Sequence, residues 1–280
     1  MRIGLVQLNG SDDPATNLKS LQTMISQAVS DGAEFVLTPE VSNCLSQSRK
    51  HQNDVLRFEE DDPTLAGLRQ AAAQHGIWLL GGSLGVKTAE DDPRFANRSF
   101  LISPDGEVSA RYDKIHMFDV DVSPTETWRE SEGYRPGQSA ITADAVFAKI
   151  GMTICYDLRF PHLYRDLAKA GAEIITVPAA FSPVTGAAHW EPLLRARAIE
   201  TGCFIIAPAQ TGQHVGRRTY GHSLVVAPWG EVLLDMGDAP GTACLDIDLS
   251  DVKTARRRVP SLSHDRDYTS LILARDDKDT

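Results

Sequence analysis

The second half of the chain repeats the first. Ile3-Gly4-Leu5-Val6 is matched by Ile150-Gly151-Met152-Thr153, and residues 32–39 (GAEFVLTP) by residues 171–178 (GAEIITVP). Gly76-Ile77-Trp78-Leu79-Leu80 is matched by Gly202-Cys203-Phe204-Ile205-Ile206, and residues 99–108 (SFLISPDGEV) by residues 223–232 (SLVVAPWGEV). One such match carries little weight, because apolar runs ending at Gly or Pro are common. Four in the same order argue for two similar halves. The last pair places a P-x-G turn between apolar and mixed runs, which predicts a β-hairpin in each half.

Within each half, strand-like and helix-like stretches alternate. Residues 3–8, 35–38 and 77–81 read as strands. Residues 17–30 read as an amphipathic helix, with Leu18, Leu21, Ile25 and Val29 at spacings of three and four, and residues 65–75 as another. The alternation predicts an α/β protein of βαβ-type units. The chain has 280 residues, near the upper limit for one hydrophobic core. The repeat favours one domain over residues 1–273, built from two halves, with a short charge-rich tail at 274–280.

Composition removes several classes. The formal net charge of -10 lacks the basic face of a sequence-independent nucleic-acid binder or of a protein drawn to an anionic membrane. Cys44, Cys155, Cys203 and Cys244 form no C-x-x-C pair, which argues against a zinc ribbon, a redox pair or a disulfide scaffold. The longest uncharged runs, 174–188 and 201–216, fall short of a membrane span. The first residues lack a signal-peptide cleavage site. A cytoplasmic protein is expected.

Where the halves differ, chemistry enters. Glu40 follows Pro39 where Ala179 follows Pro178. Cys155 aligns with Leu8, and Lys114 with Asp238. Cys155 ends an apolar run and precedes Tyr156-Asp157-Leu158-Arg159, a setting that exposes both a nucleophile and the next backbone N–H. Glu40 follows a strand, where open α/β sheets place ligands. Partial burial is expected to bring its pKa toward neutrality for work as a base. Lys114 offers a fixed positive charge to an oxyanion and is expected to lower the thiol pKa. Each residue also has an ordinary role open to it: a helix-entry glutamate, a solvated lysine, a small buried cysteine. Cys44, Cys203 and Cys244 read as the last of these.

Together Thr38-Pro39-Glu40, Tyr112-Asp113-Lys114-Ile115-His116 and the run 154–161 (ICYDLRFP) resemble the three signatures of the carbon–nitrogen hydrolase (nitrilase) superfamily, in that family's order. The resemblance extends from Ile3 to about Arg258. It implies a four-layer α-β-β-α sandwich whose internal pseudo-two-fold symmetry fits the repeat. It also implies a Glu40–Lys114–Cys155 triad, a thioester intermediate and no metal or organic cofactor. A further family glutamate corresponds to Glu130, with Glu126 and Glu132 as competing neighbours. Lys114 and the Tyr156 N–H would hold the oxyanion.

Residues 180–200, with Tyr220-Gly221-His222-Ser223 and Ala209-Gln210-Thr211-Gly212, are similar to the branch holding deaminated-glutathione amidase and ω-amidase. The expected substrate is therefore a small amide bearing a carboxylate, deaminated glutathione first and α-ketoglutaramate or α-ketosuccinamate second. Arg159 would pair with that carboxylate, or else form a structural ion pair with Asp157 or Asp166. Phe181 and Thr185 would line the pocket. Trp190 and Leu194 read as core, and Arg195 and Glu200 as structural partners. The resemblance further implies a homodimer, with Arg256-Arg257-Arg258 against the partner. Two other classes stay open: a non-catalytic binding member of the fold, and a metal-dependent hydrolase, against which stands the absence of any H-x-x-x-H pair.

Overall fold

A computed structural model describes residues 1–88, 92–123 and 126–267. The expected tail, 274–280, lies outside the described residues. The strands are β1 (Arg2–Gln7), β2 (Phe35–Leu37), β3 (Trp78–Val86), β4 (Ala96–Ile102), β5 (Val108–Asp113), β6 (Asp119–Ser123), β7 (Glu126–Arg129), β8 (Ile141–Asp144), β9 (Lys149–Met152), β10 (Ile174–Thr176), β11 (Phe204–Ala207), β12 (Thr211–His214), β13 (Arg217–Tyr220), β14 (Leu224–Val226), β15 (Val232–Asp235) and β16 (Gly241–Asp246). The helices are α1 (Pro14–Ser30), α2 (Arg49–Val55), α3 (Pro63–His75), α4 (Pro161–Lys169), α5 (Pro183–Thr201) and α6 (Ser250–Arg258).

Two six-stranded sheets run in the orders β16-β1-β2-β3-β4-β5 and β8-β9-β10-β11-β14-β15. The repeat seen in the sequence holds at the level of residue pairing. Ile3 pairs with Phe35 as Ile150 pairs with Ile174. Phe35 pairs with Trp78 as Ile174 pairs with Phe204. Leu80 pairs with Leu101 as Ile206 pairs with Val225. Both predicted hairpins form, β4–β5 and β14–β15. Even the caps repeat. α3 and α5 each start at a proline and end at a left-handed glycine, Gly76 (φ 64°) and Gly202 (φ 60°), a conformation that costs other residues their Cβ clearance.

Side-chain alternation sorts the first sheet into two faces. Ile3, Leu5, Phe35, Leu37, Leu80 and Leu101 point to the second sheet and share a core with Ile150, Met152 and Phe204. Val6, Val36, Leu79 and Phe100 face the other way, under Leu21 and Ile25 of α1 and Leu68 and Ala72 of α3. Trp190 and Leu194 of α5, with Tyr164 and Leu167 of α4, cover the outer face of the second sheet. This is the expected α-β-β-α order. Each such fully buried Leu, Ile or Phe contributes about 1.5–3 kcal/mol.

No bounds were set from the sequence for α2, α4, α6, β8, β16 or the β6–β7 and β12–β13 hairpins. α2, β7 and the β12–β13 hairpin are short and mostly polar, so no periodicity marks them, whereas Asp119-Val120-Asp121-Val122-Ser123 alternates at the strand period, a signal left unused. β3 also runs beyond the predicted residues 77–81, past an irregularity between Gly81 and Leu84. Arg256 donates to its own chain, at Thr201 O (3.1 Å) and Ala172 O (2.7 Å). No helix among the described residues is long and apolar enough to cross a membrane.

Candidate active site

The two halves meet where the parallel strands end. Glu40 follows β2 of the first sheet and Cys155 follows β9 of the second. Lys114 directly follows β5, and Glu130 directly follows β7. These four residues, with Tyr156, Phe181 and Thr185, line one cavity of about 520 Å³, a size suited to a small organic molecule. Phe118, Trp128 and Tyr134 supply aromatic wall.

Lys114 is the hub. Its Nζ lies 2.9 Å from Glu40 Oε1 and 2.9 Å from both carboxylate oxygens of Glu130. Asn97 Nδ2 also donates to Glu40 Oε1 at 2.9 Å, and Ala180 N–H donates to Glu40 Oε2 at 2.8 Å. Phe118 N–H donates to Glu130 Oε2 at 2.6 Å. Of the three candidate glutamates, Glu130 is the one bonded to Lys114, although Glu132 also lines the cavity. Glu126 instead accepts from Trp128 Nε1, and Glu132 is exposed. The Cys155 thiol faces the Glu40 carboxylate and the Ala180 N–H.

Cys155 adopts φ 47°, and Val41, next to Glu40, φ 44°. Left-handed backbone at non-glycine residues costs energy that surrounding structure must hold in place. For Cys155 the clamp is Asp157, fully buried. Its Oδ2 accepts from Tyr112 Oη at 2.6 Å and Ile154 N at 2.9 Å, and its Oδ1 accepts from His116 N at 3.1 Å and lies 2.7 Å from His116 Nδ1. Tyr112 and His116 flank Lys114. One carboxylate therefore ties the lysine segment to the cysteine turn. The Tyr156 N–H falls in the first turn of the 3-10 segment Cys155–Arg159, where amides have no intrahelical acceptor.

The protonation states differ from the expectation of a near-neutral base and an acidified thiol. Burial pushes Glu40 up, but the Lys114 ammonium and three hydrogen bonds outweigh it and hold the carboxyl below its ordinary range. Burial pushes Lys114 down, yet the Glu130 and Glu40 charges raise it well above the ordinary lysine value. Burial and the Glu40 charge raise Cys155 well above an ordinary thiol, more than Lys114 lowers it. The resting site is carboxylate, ammonium and thiol. Such an arrangement can pass a proton from thiol to carboxylate in step with attack, with no standing thiolate.

Arg159 forms neither of the expected ion pairs, with Asp157 or with Asp166, among the described residues. It is not among the residues lining the cavity. Its guanidinium lies 5.8 Å from the Tyr156 ring centroid and 5.6 Å from that of Phe181, with both terminal nitrogens 3.3 Å from His189 Nδ1. No ion pair with Asp157 forms, because both oxygens of that carboxylate are taken. Arg159 braces the aromatic wall from behind. Trp190 and Leu194 are buried as expected, Arg195 Nε bonds Gly230 O, and Glu200 pairs with Arg197 at 2.8 Å. Cys44, read as a small buried hydrophobe, is buried but also lines the cavity, its thiol pushed up to about 12 by burial. Sequence reasoning missed Asn97. Extending the match of 99–108 with 223–232 by two residues sets it against Gly221, the same kind of difference that singled out Glu40.

A family model described as carbon-nitrogen hydrolase matches residues 2–257. The chain is 40% identical to the deaminated glutathione amidase of Yersinia enterocolitica over 96% of this chain and 94% of that one. Among solved structures it is similar to the C. elegans NitFhit protein (TM-score 0.89, 37% identity, covering 95% of this chain and 65% of that longer one). It is also similar to the amidase from Nesterenkonia sp. AN1 (TM-score 0.77, 27% identity, covering 93% and 98%), whose structure records acrylamide added at the active site cysteine. The chain belongs to the carbon-nitrogen hydrolase family and is an amidase of that family.

Proposed function

We propose that Cys155 is the nucleophile, Glu40 the general base and acid, and Lys114 the oxyanion partner in hydrolysis of a small carboxylate-bearing amide, deaminated glutathione being the substrate favoured by the similarity to the Yersinia enterocolitica amidase. The observation that carries this reading is geometric: Lys114 Nζ lies 2.9 Å from Glu40 Oε1 and from Glu130, and Cys155 lines the same cavity. Glu40 takes the thiol proton as sulfur attacks the amide carbon. The tetrahedral oxyanion is held by Lys114 Nζ and the Tyr156 N–H. Glu40 returns the proton to the departing nitrogen, the C–N bond breaks, and a thioester with Cys155 remains. Glu40 then deprotonates water, which attacks the thioester. The acid leaves, and the thiol recovers its proton. Glu130 holds Lys114 in place by bonds to both its oxygens and so acts as a positioning residue.

Phe181 and Thr185 serve as substrate-facing wall beside Tyr156. The same reading has residues 1–273 as one domain, active in the cytoplasm as a homodimer. Exposed Ile199, Trp229, Leu233 and Val259 support an apolar contact between copies. Light scattering at micromolar concentration tests the dimer.

The enzymatic test is direct. Cys155→Ala and Glu40→Gln are each expected to remove nearly all turnover, and rapid acid quenching of the unsubstituted enzyme is expected to trap an acyl adduct on Cys155 by mass spectrometry. Hydrolysis retained by a clean Cys155→Ala preparation overturns the assignment. A paired assay with deaminated glutathione and α-ketoglutaramate separates this reading from ω-amidase activity.

A further inference from the structure

Three cations on the cavity wall have no part in the reaction steps above; one, Arg129, is paired with Asp121, which leaves Arg49 and Arg217. Arg49 is the first residue of α2, in the first half of the chain, and Arg217 the first residue of β13, in the second; both line the cavity. Arg217 donates Nη2 to Ala180 O at 2.6 Å and lies 4.8 Å from the Trp128 ring centroid, while its Nε is enclosed without a hydrogen-bond partner among the described residues. Arg49 lies 4.7 Å from the Phe95 ring centroid, with Nη1 enclosed and likewise unpartnered. Ser182 Oγ on the same wall is a third buried atom without a partner.

Buried polar atoms in folded proteins are nearly always paired, and an arginine cannot relieve an unmet donor by losing its proton. Both arginines also line the cavity, and the guanidinium edge each leaves open to it is free to meet an acceptor from the ligand. Charge points the same way. One ammonium and two carboxylates at the triad repel an acidic substrate, and two guanidiniums reverse that balance. Aromatic faces already cover one side of each guanidinium, which leaves its edge for a planar, two-oxygen acceptor.

We propose that Arg49 and Arg217 are the specificity-determining residues of this enzyme and select an amide that carries two carboxylates, one for each arginine. Arg217 bonds the carbonyl of Ala180, whose N–H donates to Glu40, so it faces the carboxylate nearer the scissile carbonyl. Arg49, packed on Phe95 and Tyr134, faces the farther one. The inference rests on the amidase reading and narrows its substrate to a diacid. It also moves carboxylate recognition away from Arg159.

Binding and turnover separate the two ideas. Calorimetric titration of the inactive Cys155→Ala protein with deaminated glutathione and with each of its two monomethyl esters tests the inference alone. Each esterification is expected to raise Kd on the order of tenfold to a hundredfold, the range of one charge-assisted hydrogen-bonded contact. Adding Arg217→Gln is expected to abolish sensitivity to one ester only, and adding Arg49→Gln sensitivity to the other only. Arg→Lys at each site keeps the charge and is expected to retain part of the preference, which serves if a Gln variant fails to fold. Equal Kd for the diacid and both esters, or ester effects unchanged in the arginine variants, overturns the inference. Turnover of the same amides by the unsubstituted enzyme tests the amidase reading separately: no hydrolysis beside a selective binding pattern refutes that reading and leaves the arginine assignment standing.

Discussion

Replacing Asp157 with asparagine tests the link between the nucleophile turn and the lysine segment. The aspartate carboxylate takes two donors on Oδ2, Tyr112 Oη and Ile154 N, and on Oδ1 the His116 N–H together with the ring Nδ1. Asparagine keeps one acceptor oxygen and turns the other into an NH2 donor. In the better of its two orientations the NH2 meets His116, whose ring accepts through its other tautomer, and the His116 backbone N–H loses its acceptor. One unmet N–H costs about 1–3 kcal/mol, and losing the charge from the remaining bonds costs about 1 kcal/mol more. The total is about 3 kcal/mol, or a fall in Tm of roughly 6–12 °C for a chain of this size. The strained Cys155 backbone is released at the same time. A displacement of even 1 Å at the nucleophile costs on the order of a hundredfold in rate, so kcat is expected to fall by about that factor with KM little changed. Scanning calorimetry and steady-state amide hydrolysis read the two effects. Tyr112→Phe provides the cycle, since its effect should be much smaller in the Asp157→Asn background than alone. A Tm within 2 °C of the unsubstituted protein with kcat within about twofold would refute the reasoning.

Three further outcomes follow from the geometry. Glu40 is held below its ordinary 4.5 and so stays a base until the pH falls through that value; Cys155 is held above its ordinary 9.0 and so stays a thiol past it. A plot of kcat/KM against pH is therefore expected to be flat between about 5 and 9, and an acid limb between 6 and 8 would contradict the assigned protonation states. Gly82→Ala is expected to be severely destabilising, by about 3 kcal/mol or more, because a Cβ there would sit 1.7 Å from Thr38 O and 2.6 Å from Pro39 O, just before Glu40; urea denaturation measures it. Arg159→Lys is expected to change turnover of charged and neutral amides by the same factor, since this side chain braces the wall from outside the cavity; a loss confined to anionic amides would return it to carboxylate recognition.

Much of this protein is legible along the chain. Pairing register follows from matched apolar runs such as 3–6 and 150–153, because a strand buries alternate residues and a one-residue slip would turn its apolar side outward. The differences between halves pick out Glu40, Lys114 and Cys155, because a duplicated scaffold leaves the altered positions as the informative ones. Glu130, Arg159, Arg49 and Arg217 could not be sorted the same way, and Asn97 stands out only once the matched stretch is extended to it. Their roles depend on which segments, 57 residues apart for Asn97 and Glu40 and farther for Arg49 and Arg217, come to face one cavity. Ionisation is less local still. A near-neutral Glu40 was the reasonable expectation from burial alone, and it failed because a buried ammonium with two carboxylate partners outweighs desolvation. Local sequence periodicity determines strands, helices and their repeat through short-range sterics and apolar burial. Only the tertiary structure decides which polar groups share a desolvated space, and in that space the sum of their charges sets what each one can do.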